Sequence, residues 1–337
     1  MKKVYLLAGV SGSGKSTFAK EFLSENGHLN VGYLSTDEIR EDHGLDFTDK
    51  AAFTILNEAY SNAVANPAID VIIVDATNLT RKRRTNFKRK DVHVTVVLFM
   101  STLDNAIDRV NLRGHTPVPS ASIKTQLVAL EPPVIGVDCD SFVIRGDSFF
   151  NGKIKVVNGN PTLAPFAFPT VESLLSALKP EVKELELAGI ARSHRSRFHA
   201  ESISTHINLT VSLAHTVDLK TVALFHDLGK PLARVDHEKY SSFRRHERYG
   251  AILYLNFITS VTNSFDKEIT VNDENLLTIL YHMLMFNDLS IKTIVKNRIT
   301  PSLLDKLFAF NEIDKKCSLR SVKMIDEENG DIDPLLK

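Results

Sequence analysis

The chain has 337 residues, 43% hydrophobic and 24% charged, a composition that excludes a largely disordered polypeptide and leaves apolar mass enough for two cores. Its 41 basic residues balance 41 acidic ones, so a nucleic-acid site has to be a local patch and not a property of the whole surface. Cys139 and Cys317 form no C-x-x-C pair, which argues against a disulfide framework or a zinc ribbon and suits a reducing, cytoplasmic setting, and no apolar run reaches the ~20 residues that span a bilayer.

Residues 4–8 are a short apolar run that stops at a glycine-rich turn, and residues 16–23 follow with Phe18, Ala19, Phe22 and Leu23 at helical spacing. This is strand, loop, helix. The runs 31–34, 71–74, 94–99 and 142–144 read as further strands rich in β-branched residues, separated by helical patterning such as 51–65. The alternation predicts an α/β domain over residues 1–150, a parallel sheet with helices on both faces. Residues 151–170 turn to Asn, Gly and Pro and read as a linker. Beyond it, 171–178, 203–214, 220–228, 250–260, 274–285 and 301–310 carry helical periodicity with little strand signal, which predicts an all-α domain over 171–325. Residues 326–337 form an acidic, polar tail.

The turn after the first strand, Gly9-Val10-Ser11-Gly12-Ser13-Gly14-Lys15-Ser16, has the G-x-x-x-x-G-K-[ST] spacing of a phosphate-binding loop, in the strand–helix context the motif requires. Backbone N–H groups from Gly9 through Thr17, with Gly12, Ser13 and Gly14 between, would wrap the phosphates of ATP. Lys15 would reach the β- and γ-phosphates and Ser16 would offer its hydroxyl to Mg²⁺. The second strand runs into Ser35-Thr36-Asp37-Glu38-Ile39-Arg40, at the sheet edge where ligands of such folds sit. Asp37 there is placed to accept the proton of an attacking hydroxyl, and Arg40, one turn on, to clamp an anionic group of the acceptor; the competing reading is a solvated helix cap. The apolar run 71–74 ends in Asp75, the arrangement that holds Mg²⁺ or its water. Arg109 and Arg113 lie one helical turn apart before Gly114, as arginines of a lid over the nucleotide would. The run 81–90 carries seven basic residues in ten, either a track for a phosphate backbone or a solvated helix face.

These segments together, with Asp75-Ala76-Thr77-Asn78-Leu79 and Pro117-Val118-Pro119, resemble the phage-type polynucleotide 5′-kinase family over nearly the whole first domain. The resemblance implies that Asp37 is the general base on a 5′-hydroxyl, that Arg40 contacts a substrate phosphate and that Arg109 and Arg113 engage ATP.

In the second half, His226-Asp227-Leu228-Gly229-Lys230 closes a helix. His206 precedes it and His246 and His282 follow on later helices, a set that a bundle can bring to one metal centre. The set resembles the HD superfamily of metal-dependent phosphohydrolases. That resemblance implies His206, His226 and Asp227 as metal ligands, Lys230 as a phosphate contact, and His246 and His282 as ligands of a second metal or of phosphate. It favours Asp314 as the fourth ligand over Asp288, because the family carboxylate arrives on a later helix. Mixed His and carboxylate ligation suits Mn²⁺, Mg²⁺, Ni²⁺ or Co²⁺. His194 and His199 read as phosphate-facing or solvated residues outside the site.

A kinase joined to a phosphohydrolase implies an end-healing enzyme. It would phosphorylate 5′-hydroxyl RNA or DNA ends, RNA favoured by family analogy, and remove 2′-, 3′- or 2′,3′-cyclic phosphate ahead of a nucleic-acid ligase, in the host cytoplasm if phage-encoded. The rivals are a small-molecule or nucleoside kinase fused to an HD nucleotidase, and a non-catalytic ATP switch with a degenerate HD binding domain.

Overall fold

The computed structural model describes residues 1–46, 49–113, 118–152, 168–182, 189–196, 199, 201–286 and 289–318. Gly114, most of the expected linker, the competing ligand Asp288 and the expected acidic tail lie outside the described residues. The chain forms two compact units, Met1–Asp147 with Phe265–Asn272, and Ser148–Ser264 with Asp273–Lys337.

The first unit is built on β1 (Lys2–Ala8), β2 (Val31–Ser35), β3 (Val71–Asp75), β4 (Val92–Met100) and β5 (Ser141–Gly146). Its sheet order is β2-β3-β1-β4-β5, and all four pairings are parallel. Every residue of β3 is buried, as in a strand covered on both faces, which is why it is written as an unbroken apolar run and not an alternating one. Helices α1 (Lys15–Glu25), α2 (Thr36–His43), α3 (Ala51–Ala65), α4 (Arg81–Thr85), α5 (Leu103–Asn111) and α6 (Ser120–Ala129) connect the strands. Tyr5, Phe18, Phe22 and Tyr33 pack on the core cluster of Leu7, Ala19, Ile73 and Phe99, so α1 is fixed to the sheet at the strand that carries the loop. Asn78, at φ 43°, donates from Nδ2 to the Leu7 carbonyl at 2.8 Å and ties the end of β3 to the end of β1.

The second unit contains α7 (Val171–Ser176), α8 (Ile203–Leu213), α9 (Val217–Phe225), α10 (Lys230–Ala233), α11 (His246–Thr262), α12 (Glu274–Tyr281), α13 (Ile291–Asn297) and α14 (Pro301–Cys317), with a 3₁₀ turn at His282–Phe286. Rings of Phe150, Phe168 and Phe225 meet Phe257 of α11 in its core.

Two expectations need correction. The contact boundary falls between Asp147 and Ser148, ahead of the expected linker, because Phe150 bridges to Leu178 and the Phe149 amide donates to Asn256. The second half is also not purely helical. Val235–Asp236 pairs with Ser241–Ser242 in a hairpin, and Glu268–Ile269 pairs antiparallel with β5, closing that edge of the first unit's sheet. Strands of two residues are too short to show a period-2 pattern, so hydrophobic spacing passes over them. Among the described residues no helix is long and apolar enough to cross a membrane.

Candidate active sites

In the first unit, β1 delivers the phosphate-binding loop. Gly14 at φ 100° caps α1, and Gly12 at φ 81° runs so close to α5 that a Cβ there would lie 2.1 Å from the Ala106 carbonyl oxygen. Any side chain at Gly12 would displace the loop. Lys15 is buried and donates from Nζ to the Val10 carbonyl at 2.8 Å; burial pushes its ammonium down to about 8, against the pull of Asp75. Asp75 is buried at the end of β3 and accepts a 2.9 Å hydrogen bond from the Tyr33 hydroxyl, whose pKa is raised by burial and by that carboxylate. Sequence reasoning passed over Tyr33, which looks like one more strand residue.

A cavity of about 670 Å³ brings these groups together, with Lys15, Ser16, Asp37, Arg40, Asp75 and Arg113 among its lining residues. Ser35 caps α2 by accepting from the Asp37 and Glu38 amides, so the helix start is satisfied without either acidic side chain. The Asp37 carboxylate is 76% exposed at the cavity and lies 3.2 Å from Arg40 Nη1. Arg113 lines the same cavity beyond the end of α5. Arg109 is not among its lining residues and pairs with Asp147 at 3.1 Å instead. The basic run 81–90 is largely engaged within the unit. Arg84 is fully buried, held by Asp138 at 2.5 Å and by the carbonyls of Asn78, Leu79 and Pro132, and Lys88 pairs with Asp140 at 2.7 Å. The loop after β3 is thereby clamped to the segment before β5.

The second unit brings His206, His226, Asp227, His246, His282 and Asp314 into one buried cluster. His226 and Asp227 follow the last turn of α9, His206 comes from α8, His246 opens α11, His282 opens the 3₁₀ turn and Asp314 lies on α14. Gly229 permits the crossing of the His226–Lys230 turn and α11, since a Cβ there would sit 2.0 Å from the His246 carbonyl oxygen. Asp227 faces two groups of donors. Its Oδ2 lies 3.4 Å from His226 Nε2 and 3.6 Å from His206 Nε2, and its Oδ1 lies 3.1 Å from His246 Nε2. Asp314 Oδ1 is 2.8 Å from His206 Nε2 and 3.8 Å from His226 Nε2. Donors bound to one divalent ion at about 2.0–2.2 Å lie roughly 3–3.5 Å apart, the scale of these separations.

Proton placement strengthens the fit. Nδ1 of His226, His246 and His282 each donates to a backbone carbonyl three residues earlier, at 2.8, 2.7 and 2.8 Å, which leaves the Nε2 lone pairs aimed inward. His246 Nε2 and His282 Nε2 then face each other at 3.3 Å as two acceptors, an arrangement a cation relieves. Burial, with His246 and His226 adding to it, lowers His282 to about 3 and keeps it neutral. Burial opposes charge on His206 as well, but the Asp314 and Glu201 carboxylates beside it outweigh burial and raise it to about 9. Asp227 is held below the usual carboxylate range, its burial overcome by His226 and Lys230.

His194 and His199, set outside the site by sequence reasoning, and Glu201, which it passed over, sit against it. His194 Nε2 is 3.1 Å from Lys230 Nζ, which is itself 2.5 Å from Asp227 Oδ2. Glu201 Oε1 lies 3.3 Å from His206 Nδ1 and 2.8 Å from His199 Nδ1. Their segment has no periodic pattern, and its one signal is the density of His and Glu just before α8.

Comparison with known proteins bears on the first unit. Residues 4–133 match a family model described as an AAA domain. The matched span contains the loop of residues 9–16 and the strands that frame it, most of β1 and all of β2 to β4. No curated protein matches the chain. Among solved structures, similar ones include a gluconokinase from Sinorhizobium meliloti 1021, at 21% identity over 42% of this chain and 81% of that one, with a TM-score of 0.31. A chain of the Pnkp1/Rnl/Hen1 RNA repair complex is 19% identical over 38% of this chain and 44% of that one, with a TM-score of 0.34. A fungal RNA kinase is 13% identical over 47% and 78%, with a TM-score of 0.32.

Proposed function

We propose that the chain is a bifunctional end-healing enzyme that phosphorylates 5′-hydroxyl ends of RNA or DNA with ATP and Mg²⁺ and hydrolyses 2′-, 3′- or 2′,3′-cyclic phosphate at a divalent-metal centre. The observation that carries the kinase half is the single cavity lined both by Lys15, Ser16 and Asp75 and by Asp37 and Arg40. Lys15 and Ser16 take the phosphates and Mg²⁺, Asp37 accepts the acceptor's proton from an exposed position, and Arg40 holds an acceptor phosphate beside it. Arg113 closes on ATP from the end of α5, and Arg109 joins it by exchanging Asp147 for the nucleotide.

The hydrolase half rests on the inward-facing lone pairs of the histidine cluster. His206, His226, Asp227 and Asp314 would hold one divalent ion, and His246 and His282 with Asp227 would hold a second. Bound metal supplies an ionised water and a polarised phosphoryl oxygen. Lys230, oriented by Asp227 and His194, presents its ammonium to the phosphate, and Glu201 fixes the His206 ring.

The test uses the full chain with end-labelled strands of defined termini. Transfer from ATP to a 5′-hydroxyl oligonucleotide, and metal-dependent phosphate release from a 2′- or 3′-phosphorylated one, are expected. Faster transfer to free nucleosides or sugars than to any oligonucleotide would overturn the strand-end assignment.

A further inference from the structure

Phe53 of α3 lines the kinase cavity together with Asp37 and Arg40. The Arg83 guanidinium lies over its ring, 4.1 Å from the centroid, and the Arg40 guanidinium lies 5.6 Å from the same centroid. Arg83 differs from its basic neighbours. Arg84 and Lys88 are neutralised by Asp138 and Asp140, and Arg89 reaches Ser61 and the Tyr60 ring. Among the described residues, Arg83 Nε and Nη2 are buried with no hydrogen-bond partner, although the Arg83 amide donates to the Thr80 hydroxyl that caps α4. Burial works against the charge of this guanidinium. Unsatisfied buried N–H donors on a cation cost stability unless an anion meets them.

Resting on the strand-end kinase reading, we propose that Arg83, stacked on Phe53, binds a second phosphodiester of the acceptor, next along the strand from the one held by Arg40. Both guanidinium groups contact one ring, close enough for neighbouring phosphates of a single strand. The ring fixes the plane of Arg83, so its Nε and Nη2 donors form the paired edge that a phosphate accepts. The site takes single-stranded nucleic acid of two or more nucleotides and gives nothing to a mononucleotide.

The experiment compares 5′-hydroxyl acceptors with one phosphate (a nucleoside 3′-monophosphate) and with two (a dinucleotide bearing a 3′-phosphate), using wild type, Arg83→Met and Arg83→Lys. Methionine keeps the packing on Phe53 and removes the charge, and lysine keeps the charge and loses the fork. Wild type is expected to show a KM at least about tenfold lower for the two-phosphate acceptor. Arg83→Met should abolish that difference while leaving kcat and the KM for ATP within about twofold, with Arg83→Lys intermediate. An equal KM for the two acceptors in wild type, or an advantage that survives in Arg83→Met, overturns the proposal and leaves the kinase assignment standing. Failure of wild type to phosphorylate either acceptor overturns the kinase assignment itself.

Discussion

Asp37 and Asp75 are two of the carboxylates that line the proposed kinase cavity, and their surroundings divide the work between them. Asp75 is buried and already accepts from Tyr33, which suits a fixed group that orders Mg²⁺ or its water. Asp37 is exposed, its helix start is capped by Ser35, and it pairs with Arg40 on the same helix, so its carboxylate is available to an incoming hydroxyl. Asp37→Asn is therefore expected to lower phosphoryl transfer by about 10²-fold or more, the usual scale for removing a positioned base, with ATP affinity unchanged. Single-turnover transfer alongside a nucleotide-binding titration separates the two effects. Wild-type turnover in Asp37→Asn would move the base to Asp75. At this scale the sequence was most legible where a motif is local. Lys15, Ser16, Asp37 and Arg40 lie on contiguous segments, whereas Tyr33 acts on Asp75 from a neighbouring strand, a relation set by the register Ser35 opposite Asp75 and not by spacing along the chain.

The helices of the second unit matter as carriers of single donors at their ends. A histidine just past a helix loses nothing by giving its Nδ1 proton to the carbonyl three residues back, and this is how His226 and His282 are both held. The set could be anticipated for His206, His226 and Asp227 because His206 lies on a periodic helix and His226 and Asp227 directly follow one. It was invisible for His194 and Glu201, which are placed by tertiary contact from an irregular segment. Six donors crowded without a cation leave acceptors facing acceptors, so metal loading should stabilise the second unit strongly, with chelation lowering its melting temperature. His226→Ala, Asp227→Ala and Asp314→Ala should each cut metal content and phosphate release by about 10-fold or more while sparing 5′-phosphorylation, because each removes a donor within 3.6 Å of His206 Nε2. Metal analysis and release of phosphate from a 2′- or 3′-phosphorylated strand check all three. Undiminished metal content and hydrolysis in His226→Ala would remove the metal-hydrolase assignment.

At the scale of the whole chain, β-branched runs ending in glycine or a carboxylate made the parallel sheet legible, and helical periodicity did the same for most of the second unit. What stayed hidden was the excursion of Phe265–Asn272, a pairing between residues more than a hundred apart whose two-residue strand leaves no local trace. Each proposed activity nevertheless draws its residues from one unit, the kinase cavity from Met1–Asp147 and the histidine cluster from Ser148–Ser264 with Asp273–Lys337. Units with separate cores act separately unless a large interface couples them. Lys15→Ala should accordingly abolish 5′-phosphorylation, since no other cation in the loop reaches the β- and γ-phosphates, and leave phosphate release within about twofold of wild type. Assaying both reactions on one preparation, with the melting profile as a check on folding, gives the answer. Parallel loss of both activities in a folded Lys15→Ala protein would mean that the two reactions share a site, and the division of chemistry between the units would have to be abandoned.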